Sequence, residues 1–155
     1  TSLVSNSVSL FLDHPEQHRK LLDDPSLIEG AVEECLRVES PLQIGNRQAA
    51  TDFTFGDHRI SKGTYIHTSI AGANRDPSVF ADPHKFDIER KNNKHIAFIT
   101  GIHVCLGATL ARMEGRIALG KLLTRFPNMQ RDGDAERLPL ARFRGFTRLP
   151  VKLNP

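Results

Sequence analysis

One short segment, residues 98–107, constrains the fold of this chain more than any other stretch. It reads FITGIHVCLG and leads directly into an apolar pattern that predicts an amphipathic helix. Gly101 and Gly107 stand on either side of Cys105, and the turn that they permit would direct several backbone N–H groups toward the sulfur. The positive end of the following helix acts at the same place. The sequence therefore predicts a thiolate at Cys105 that can bind a soft or borderline metal.

This segment has two simpler interpretations. A glycine-rich turn around a buried free thiol would show the same pattern, because cysteine is often an ordinary small core residue. Zinc or redox chemistry is the other, since His103 and Cys105 would supply two ligands. No second ligand pair stands nearby at the spacing that zinc sites use, so the zinc interpretation is the weaker one.

Helical patterns occupy the first part of the chain. The first, over residues 3–12, has no N-cap or preceding turn, so we expect a helix that is cut off at its front. A second, short helix begins at residues 14–17, and a third begins at residues 24–26. The apolar stripe of this third helix includes Cys35 and ends before Pro41, which predicts that Cys35 belongs to the core.

Glu34 and Arg37 stand off that stripe, at a spacing that allows them to pair along the helix. An exposed pair of this kind would contribute only about 0.2–0.5 kcal/mol. Taken alone, it would be an ordinary surface ion pair.

The remainder of the chain combines strands, an irregular segment and one long helix. Residues 44–55 and 60–70 are rich in apolar and β-branched residues and predict a small antiparallel sheet. Residues 73–90 are rich in turn formers. The longest helix follows the cysteine segment, with its charged residues outward, and short strands are expected in the tail, over residues 138–153. The apolar residues expected on the core side of the long helix are Leu106, Leu110, Met113, Ile117 and Leu122. The predicted fold class is mainly α with small antiparallel β-sheets (α+β).

This order of elements, together with the cysteine segment, resembles the cytochrome P450 haem-thiolate monooxygenases of the soluble bacterial type. The proximal loop of that family reads F-x-x-G-x-[H/R]-x-C-x-G. Its fixed positions are filled here by Phe98, Gly101, His103, Cys105 and Gly107. The resemblance implies a single domain over residues 1–155 that corresponds to the C-terminal, proximal-side part of the family's fold.

The resemblance also implies roles for individual residues. Cys105 would be the metal-binding residue, as the axial ligand of haem iron, and Phe98 would pack beside its sulfur. His103 would donate a hydrogen bond to a haem propionate. Arg47 falls where a propionate-binding arginine is expected, although it is equally an ordinary strand residue. The resemblance makes Glu34 and Arg37 a buried structural ion pair, which needs a third group to complete its hydrogen bonds.

Two departures from the family pattern bear on these roles. Lys85 occupies the position expected for the arginine that completes the Glu34–Arg37 network, so a looser network is expected. Ile99 stands where a glycine commonly follows the phenylalanine, so the turn before the ligand is expected to be strained or reshaped.

The family's oxygen-activating acid and threonine would lie before Thr1, so we expect no catalytic residue of that pair here. The resemblance implies a monooxygenase that takes a small hydrophobic substrate and an electron-donor protein, and we do not expect this chain to perform controlled monooxygenation alone. The alternative is a non-catalytic module that binds haem or forms oligomers, in which a second copy covers an exposed apolar face.

Composition limits the class of protein without naming a function. The 155 residues are 39% apolar and 25% charged, and the formal net charge is +3. Basic and acidic residues are mixed along the chain. These values are typical of a globular domain and give no reason to expect a nucleic-acid partner. Cys35 and Cys105 are far apart, so we expect no disulfide and favour a reducing cytoplasm. No apolar run is long enough to span a membrane, and the start lacks the basic flank of a signal peptide.

Overall fold

Helices form most of the regular structure in a computed structural model that describes residues 2–154; Thr1 and Pro155 lie outside the described residues. The helices are α1 (Ser2–Asp13), α2 (Pro15–Asp23), α3 (Ile28–Val38), α4 (Ile70–Ala73) and α5 (Ala108–Arg125). Short 3₁₀ turns occupy Pro25–Leu27 and Gly101–His103. No helix of this part of the chain is both long enough and apolar enough to cross a membrane.

Small antiparallel sheets complete the fold. The strands are β1 (Ile44–Gln48), β2 (Phe53–Phe55), β3 (His58–Ile60), β4 (Tyr65–Ser69), β5 (Gln130–Arg131), β6 (Glu136–Arg137), β7 (Phe146–Arg148) and β8 (Val151–Lys152). β1 pairs with β4 and β2 with β3, while β5 pairs with β8 and β6 with β7. Gly56 turns β2 into β3 with a φ of +55°, a conformation that favours glycine. The predicted fold class, helices with small antiparallel sheets, is confirmed.

The core lies where α1, α3 and α5 pack together. Phe11, Leu36 and Leu119 are among its almost fully buried side chains, each of which stabilises the fold by roughly 1.5–3 kcal/mol. α5 approaches the other two helices closely at Gly115, where an added Cβ would lie 3.0 Å from Leu3 Cδ2. Only glycine fits there without a shift of the neighbouring side chains.

The prediction that Cys35 belongs to the core is confirmed. Its side chain is fully buried on α3. Burial raises the pKa of the Cys35 thiol to about 12, although a hydrogen bond with Ser7 opposes the rise. Cys35 is therefore neutral at physiological pH.

The prediction for α5 is wrong in its orientation. Leu106 is fully exposed, and Leu110, Met113 and Ile117 are more than half exposed, whereas Leu122 packs against the core. The buried face of α5 consists of Ala108, Gly115, Leu119 and Leu123. The helix carries apolar residues on two sides, and the side with small residues faces inward because it allows the close approach of α1 and α3.

α1 is also buried more widely than its apolar stripe predicts. Asn6, Ser7 and Ser9 lie inside the protein. Asn6 Nδ2 donates to the carbonyls of Glu39 and Arg144, both at 3.1 Å. Ser7 Oγ donates to the Leu3 carbonyl and Ser9 Oγ accepts from Arg131, whereas Asn6 Oδ1 is buried without a partner among the described residues.

Candidate functional site

The segment over residues 98–107 forms a closed loop that leads into α5. The Cys105 N–H donates to the Phe98 carbonyl at 2.9 Å, and the Ala108 N–H donates to the Cys105 carbonyl at 3.1 Å. Gly101 has a φ of +68°, with nothing within 4 Å of the position of an added Cβ. The backbone conformation, rather than space, therefore requires glycine at this position.

The Cys105 side chain is exposed at the edge of an open recess of about 330 Å³. The recess is mostly apolar, and its lining consists of Pro41, Leu42, Ala97, Phe98, Ile99, His103 and Cys105. Leu42 also forms an isolated antiparallel bridge with Phe143, which brings the tail of the chain beside this recess. The structure thus brings Phe98, His103 and Cys105 together around one opening. The interpretation of a buried thiol at Cys105 is wrong.

A second recess of about 230 Å³ adjoins the first, because Ile99 lines both. Arg47, on β1, lines this second recess. Its guanidinium donates to the carbonyl of Asn46 at 2.8 Å. Arg47 and Cys105 therefore lie along one continuous surface of the protein.

None of the hydrogen bonds within residues 2–154 is made to Cys105 Sγ, and the N–H groups of Cys105 and Ala108 donate to backbone carbonyls. Gly107 leaves the space beside the sulfur open, since a Cβ there would lie 4.0 Å from Sγ.

Ile99 is a position of backbone strain. Its φ of +60° is rare for a residue with a branched Cβ, and its N–H donates to the Ile96 carbonyl at 2.8 Å. The strain predicted in the turn before Cys105 is therefore confirmed, and it lies within residues 98–107, the ligand loop. The Ile99 side chain forms part of the wall between the two recesses.

Glu34 and Arg37 form an ion pair in which both side chains are 0% exposed. Arg37 Nε and Nη2 donate to the two carboxylate oxygens of Glu34, at 2.8 Å each. Arg37 Nη1 donates to the carbonyls of Asn74 and Pro83, at 2.9 and 2.7 Å. Because both charges have several partners, the pair withstands a burial that an isolated charge would not.

Arg90 completes this network. Its Nε lies 3.1 and 3.2 Å from the Glu34 carboxylate oxygens, and its other nitrogens donate to backbone carbonyls within residues 81–85. Lys85 contributes a carbonyl, while its ammonium lies 3.3 Å from Asp87. The expectation that Lys85 occupies the third position and loosens the network is therefore wrong. The irregular segment folds back so that the arginine comes from further along the chain.

A second polar cluster surrounds Glu33, the neighbour of Glu34. Arg112, on α5, donates to both Glu33 oxygens at 2.8 and 2.9 Å. His95 Nε2 lies 3.0 Å from Glu33 Oε2. Burial alone would raise the pKa of Glu33, but hydrogen bonds from His95 and Arg112 lower it to about 2.

Sequence reasoning missed several residues of these clusters: Glu33, Asn74, Arg90, His95 and Arg112. Their signals in the sequence are weak, because each acts through a contact with a distant segment. The one local signal is that Glu33 and Glu34 are adjacent on α3. Successive residues of a helix differ in direction by about 100°, so the two carboxylates contact different neighbours.

Comparison with known proteins identifies the family. A sequence model of cytochrome P450 proteins matches residues 13–154, which is most of the chain. The chain belongs to the cytochrome P450 family. The matched residues include the segment around Cys105, and the fold described above is part of the P450 fold.

Similar proteins include two bacterial P450s. The chain is 44% identical to the putative cytochrome P450 140 of Mycobacterium tuberculosis (strain ATCC 25618 / H37Rv), over 99% of this chain and 35% of the relative. It is 46% identical to the biotin biosynthesis cytochrome P450 of Bacillus subtilis (strain 168), over 97% of this chain and 38% of the relative. The P450 chain therefore spans little more than a third of the length of these relatives.

Solved structures show the same likeness. P450BioI, in complex with an acyl carrier protein ligated to hexadec-9Z-enoic acid, matches with a TM-score of 0.95 and 45% identity, over 99% of this chain and 40% of that one. CYP109E1 from Bacillus megaterium, in complex with testosterone, matches with a TM-score of 0.96 and 32% identity, over 99% and 43%.

Proposed function

We propose that this chain provides the C-terminal, proximal-side part of a haem-thiolate monooxygenase and that Cys105 is the axial ligand of the haem iron. The observation that carries the proposal is the exposed Cys105 thiol, which borders an apolar recess at the start of α5. When bound, haem would supply the iron that activates dioxygen, and a thiolate ligand favours cleavage of the O–O bond.

The residues around Cys105 suit haem better than a bare metal ion. Within the described residues, no group of three or more His, Cys, Asp or Glu side chains could hold a metal ion. One soft ligand beside an apolar wall suits a metal that brings its own equatorial ligands, as iron does in a porphyrin. The P450 family membership supports the same cofactor.

The other site residues would hold the edges of the haem. Arg47 and His103 lie at the two adjoining recesses, where they would bind the propionates by charge-assisted hydrogen bonds. Phe98 would shield the sulfur on one side, while Gly101 and Gly107 shape the loop. Glu34 and Arg37 would hold the proximal side in place through the buried network.

We propose monooxygenation only for a protein as long as the P450 relatives. Such a protein would take a small hydrophobic substrate and receive electrons from a donor protein. Pro41 and Leu42 give the recess beside Cys105 an apolar wall, which suits the haem macrocycle, and the substrate is proposed to lie on the opposite face of the haem. The distal acid and threonine are proposed to lie outside this chain. A cytoplasmic location stays a prediction.

Absorption spectroscopy tests the proposed ligand. The protein is loaded with haem, reduced and exposed to carbon monoxide, and wild type is compared with Cys105→Ala and Cys35→Ala. We expect the Soret band of a thiolate–iron–CO complex in wild type and in Cys35→Ala, because Cys35 is fully buried in the core. The band should be absent in Cys105→Ala. Its retention in Cys105→Ala, or its absence from wild type, would refute the proposal.

A second candidate function is a non-catalytic module that binds haem or forms oligomers. The observation in its favour is the set of exposed apolar side chains at and after the loop, which consists of Ile102, Val104, Leu106 and Leu110. Sedimentation velocity tests this candidate. A concentration-dependent dimer that Leu106→Glu dissociates, in a protein without a thiolate band, would favour it. A protein that is monomeric at all concentrations and binds no haem would reject it.

A further inference from the structure

We propose that Glu33 is a positioning residue for Cys105, because its carboxylate binds the chain segments on both sides of the ligand loop. The inference rests on the proposed role of Cys105 as the haem ligand. His95 lies before the loop and Arg112 after it, and both side chains contact the same carboxylate.

The link on the C-terminal side runs through Arg112. Its guanidinium makes a bidentate pair with Glu33, at 2.8 and 2.9 Å, and lies over the Phe98 ring at 4.7 Å from the ring centroid. The carbonyl of Phe98 accepts the Cys105 N–H at 2.9 Å. A planar guanidinium can pair with a carboxylate and stack on an aromatic ring at once, which an ammonium group cannot do. Glu33 therefore orients the residue whose backbone holds Cys105.

The link on the N-terminal side runs through His95, whose side chain is 2% exposed. The Ala97 N–H donates to His95 Nδ1 at 3.2 Å, so Nδ1 is the acceptor in the ring. The proton of the neutral ring then lies on Nε2, which donates to Glu33 Oε2 at 3.0 Å. Both ring nitrogens are engaged, so the backbone that enters the loop is fixed to α3.

The charge of Glu33 is maintained by these partners. The pKa of Glu33, which burial alone would raise, is lowered to about 2 by hydrogen bonds from His95 and Arg112. The hydrogen bond to Glu33 in turn raises the pKa of Arg112. The bidentate pair therefore persists across the physiological pH range.

Glu33 and Glu34 hold different parts of the protein. Glu34 binds Arg37 and Arg90 and fixes the irregular segment, whereas the hydrogen bonds of Glu33 go to His95 and Arg112. A change at Glu33 is thus expected to loosen the ligand loop while the buried network stays intact.

The test compares Glu33→Gln with Glu29→Gln. Glu29 lies one turn earlier on α3 and also pairs with an arginine of α5, Arg116, but this exposed pair does not contact the loop. The first measurement is amide hydrogen exchange at Cys105, relative to the global stability from urea denaturation. We expect Glu33→Gln to speed exchange at Cys105 by about tenfold, since charged hydrogen bonds are lost, and Glu29→Gln to leave it unchanged.

The second measurement uses the haem-loaded protein. We expect Glu33→Gln to lower the fraction with a thiolate-type Soret band in the reduced CO complex and to shift the reduction potential. Arg112→Lys keeps the positive charge but loses the planar pair, and it should show the same changes in weaker form.

Two results would overturn the inference. One is equal Cys105 exchange in the Glu33→Gln and Glu29→Gln proteins, and the other is faster exchange that only matches a global loss of stability. A wild-type protein without a thiolate band would refute the proposed function instead, and the exchange measurement at Cys105 would still decide whether Glu33 holds the loop.

Discussion

Removal of the negative charge from Glu34 is predicted to be the most destabilising polar substitution in this protein. Arg37 Nη2 and the Asp87 N–H donate to one carboxylate oxygen, while Arg37 Nε and Asn93 Nδ2 donate to the other. Arg90 Nε contacts both oxygens. In Glu34→Gln, the amide nitrogen would face N–H donors whichever way the side chain is turned.

The magnitude follows from burial. The Glu34 and Arg37 side chains are both 0% exposed, and Arg90 is 11% exposed. Loss of one partner leaves a buried guanidinium without its counter-charge, which costs about 3–5 kcal/mol. This cost is a large fraction of the roughly 5–15 kcal/mol that stabilises a typical domain.

Urea denaturation followed by circular dichroism measures the effect. The midpoint of Glu34→Gln is expected to fall by about 1–2 M, given the usual slope of a domain of this size. Glu29→Gln is the matched control, since Glu29 also pairs with an arginine but is largely exposed, and it should cost less than about 1 kcal/mol. If Glu34→Gln does not fold, Arg90→Lys provides a milder variant, with an expected loss of about 1–3 kcal/mol. A Glu34→Gln protein as stable as the Glu29→Gln control would refute the reasoning.

Two further predictions concern the loop and a buried histidine. Gly101→Ala is expected to lower the free energy of unfolding by about 1–2 kcal/mol. The φ of Gly101 is +68° and no atom lies within 4 Å of an added Cβ, so backbone strain is the only cause. Gly120→Ala, inside α5, should instead keep or raise stability in the same urea denaturation assay. Burial lowers the pKa of His18, although a hydrogen bond to the Leu123 carbonyl opposes the shift. The unfolded state therefore binds the His18 proton more tightly than the folded state does. The free energy of unfolding should be highest above about pH 6.5 and fall as the pH decreases below that value. Denaturation curves taken at several pH values should show a smaller fall for His18→Gln.

The features that could be predicted from the sequence are local ones. The ligand loop is defined by the φ that Gly101 requires and by the start of α5, both of which depend on a few adjacent residues. The antiparallel hairpin of β2 and β3 could be predicted for the same reason, since its strands flank the turn at Gly56. Cys35 belonged to a regular apolar stripe and is buried as expected.

The remaining features depend on contacts between distant segments. α5 has apolar residues on two sides, so periodicity alone could not decide which side faces the core. Arg90 reaches Glu34 only because an irregular segment folds back, and such a segment has no period from which its path can be inferred. His95 and Arg112 meet at Glu33 for a similar reason.

The two adjacent glutamates have a consequence for the register of α3. A slip of the helix by one residue would rotate it by about 100°, and Glu33 would then turn toward the partners of Glu34 while the guanidinium of Arg112 lost its counter-charge. Neither carboxylate can replace the other, because Glu34 is enclosed by Arg37 and Arg90 whereas Glu33 is reached from α5. The position of α3 in rotation and along its axis is thus fixed by two ion-pair networks as well as by apolar packing.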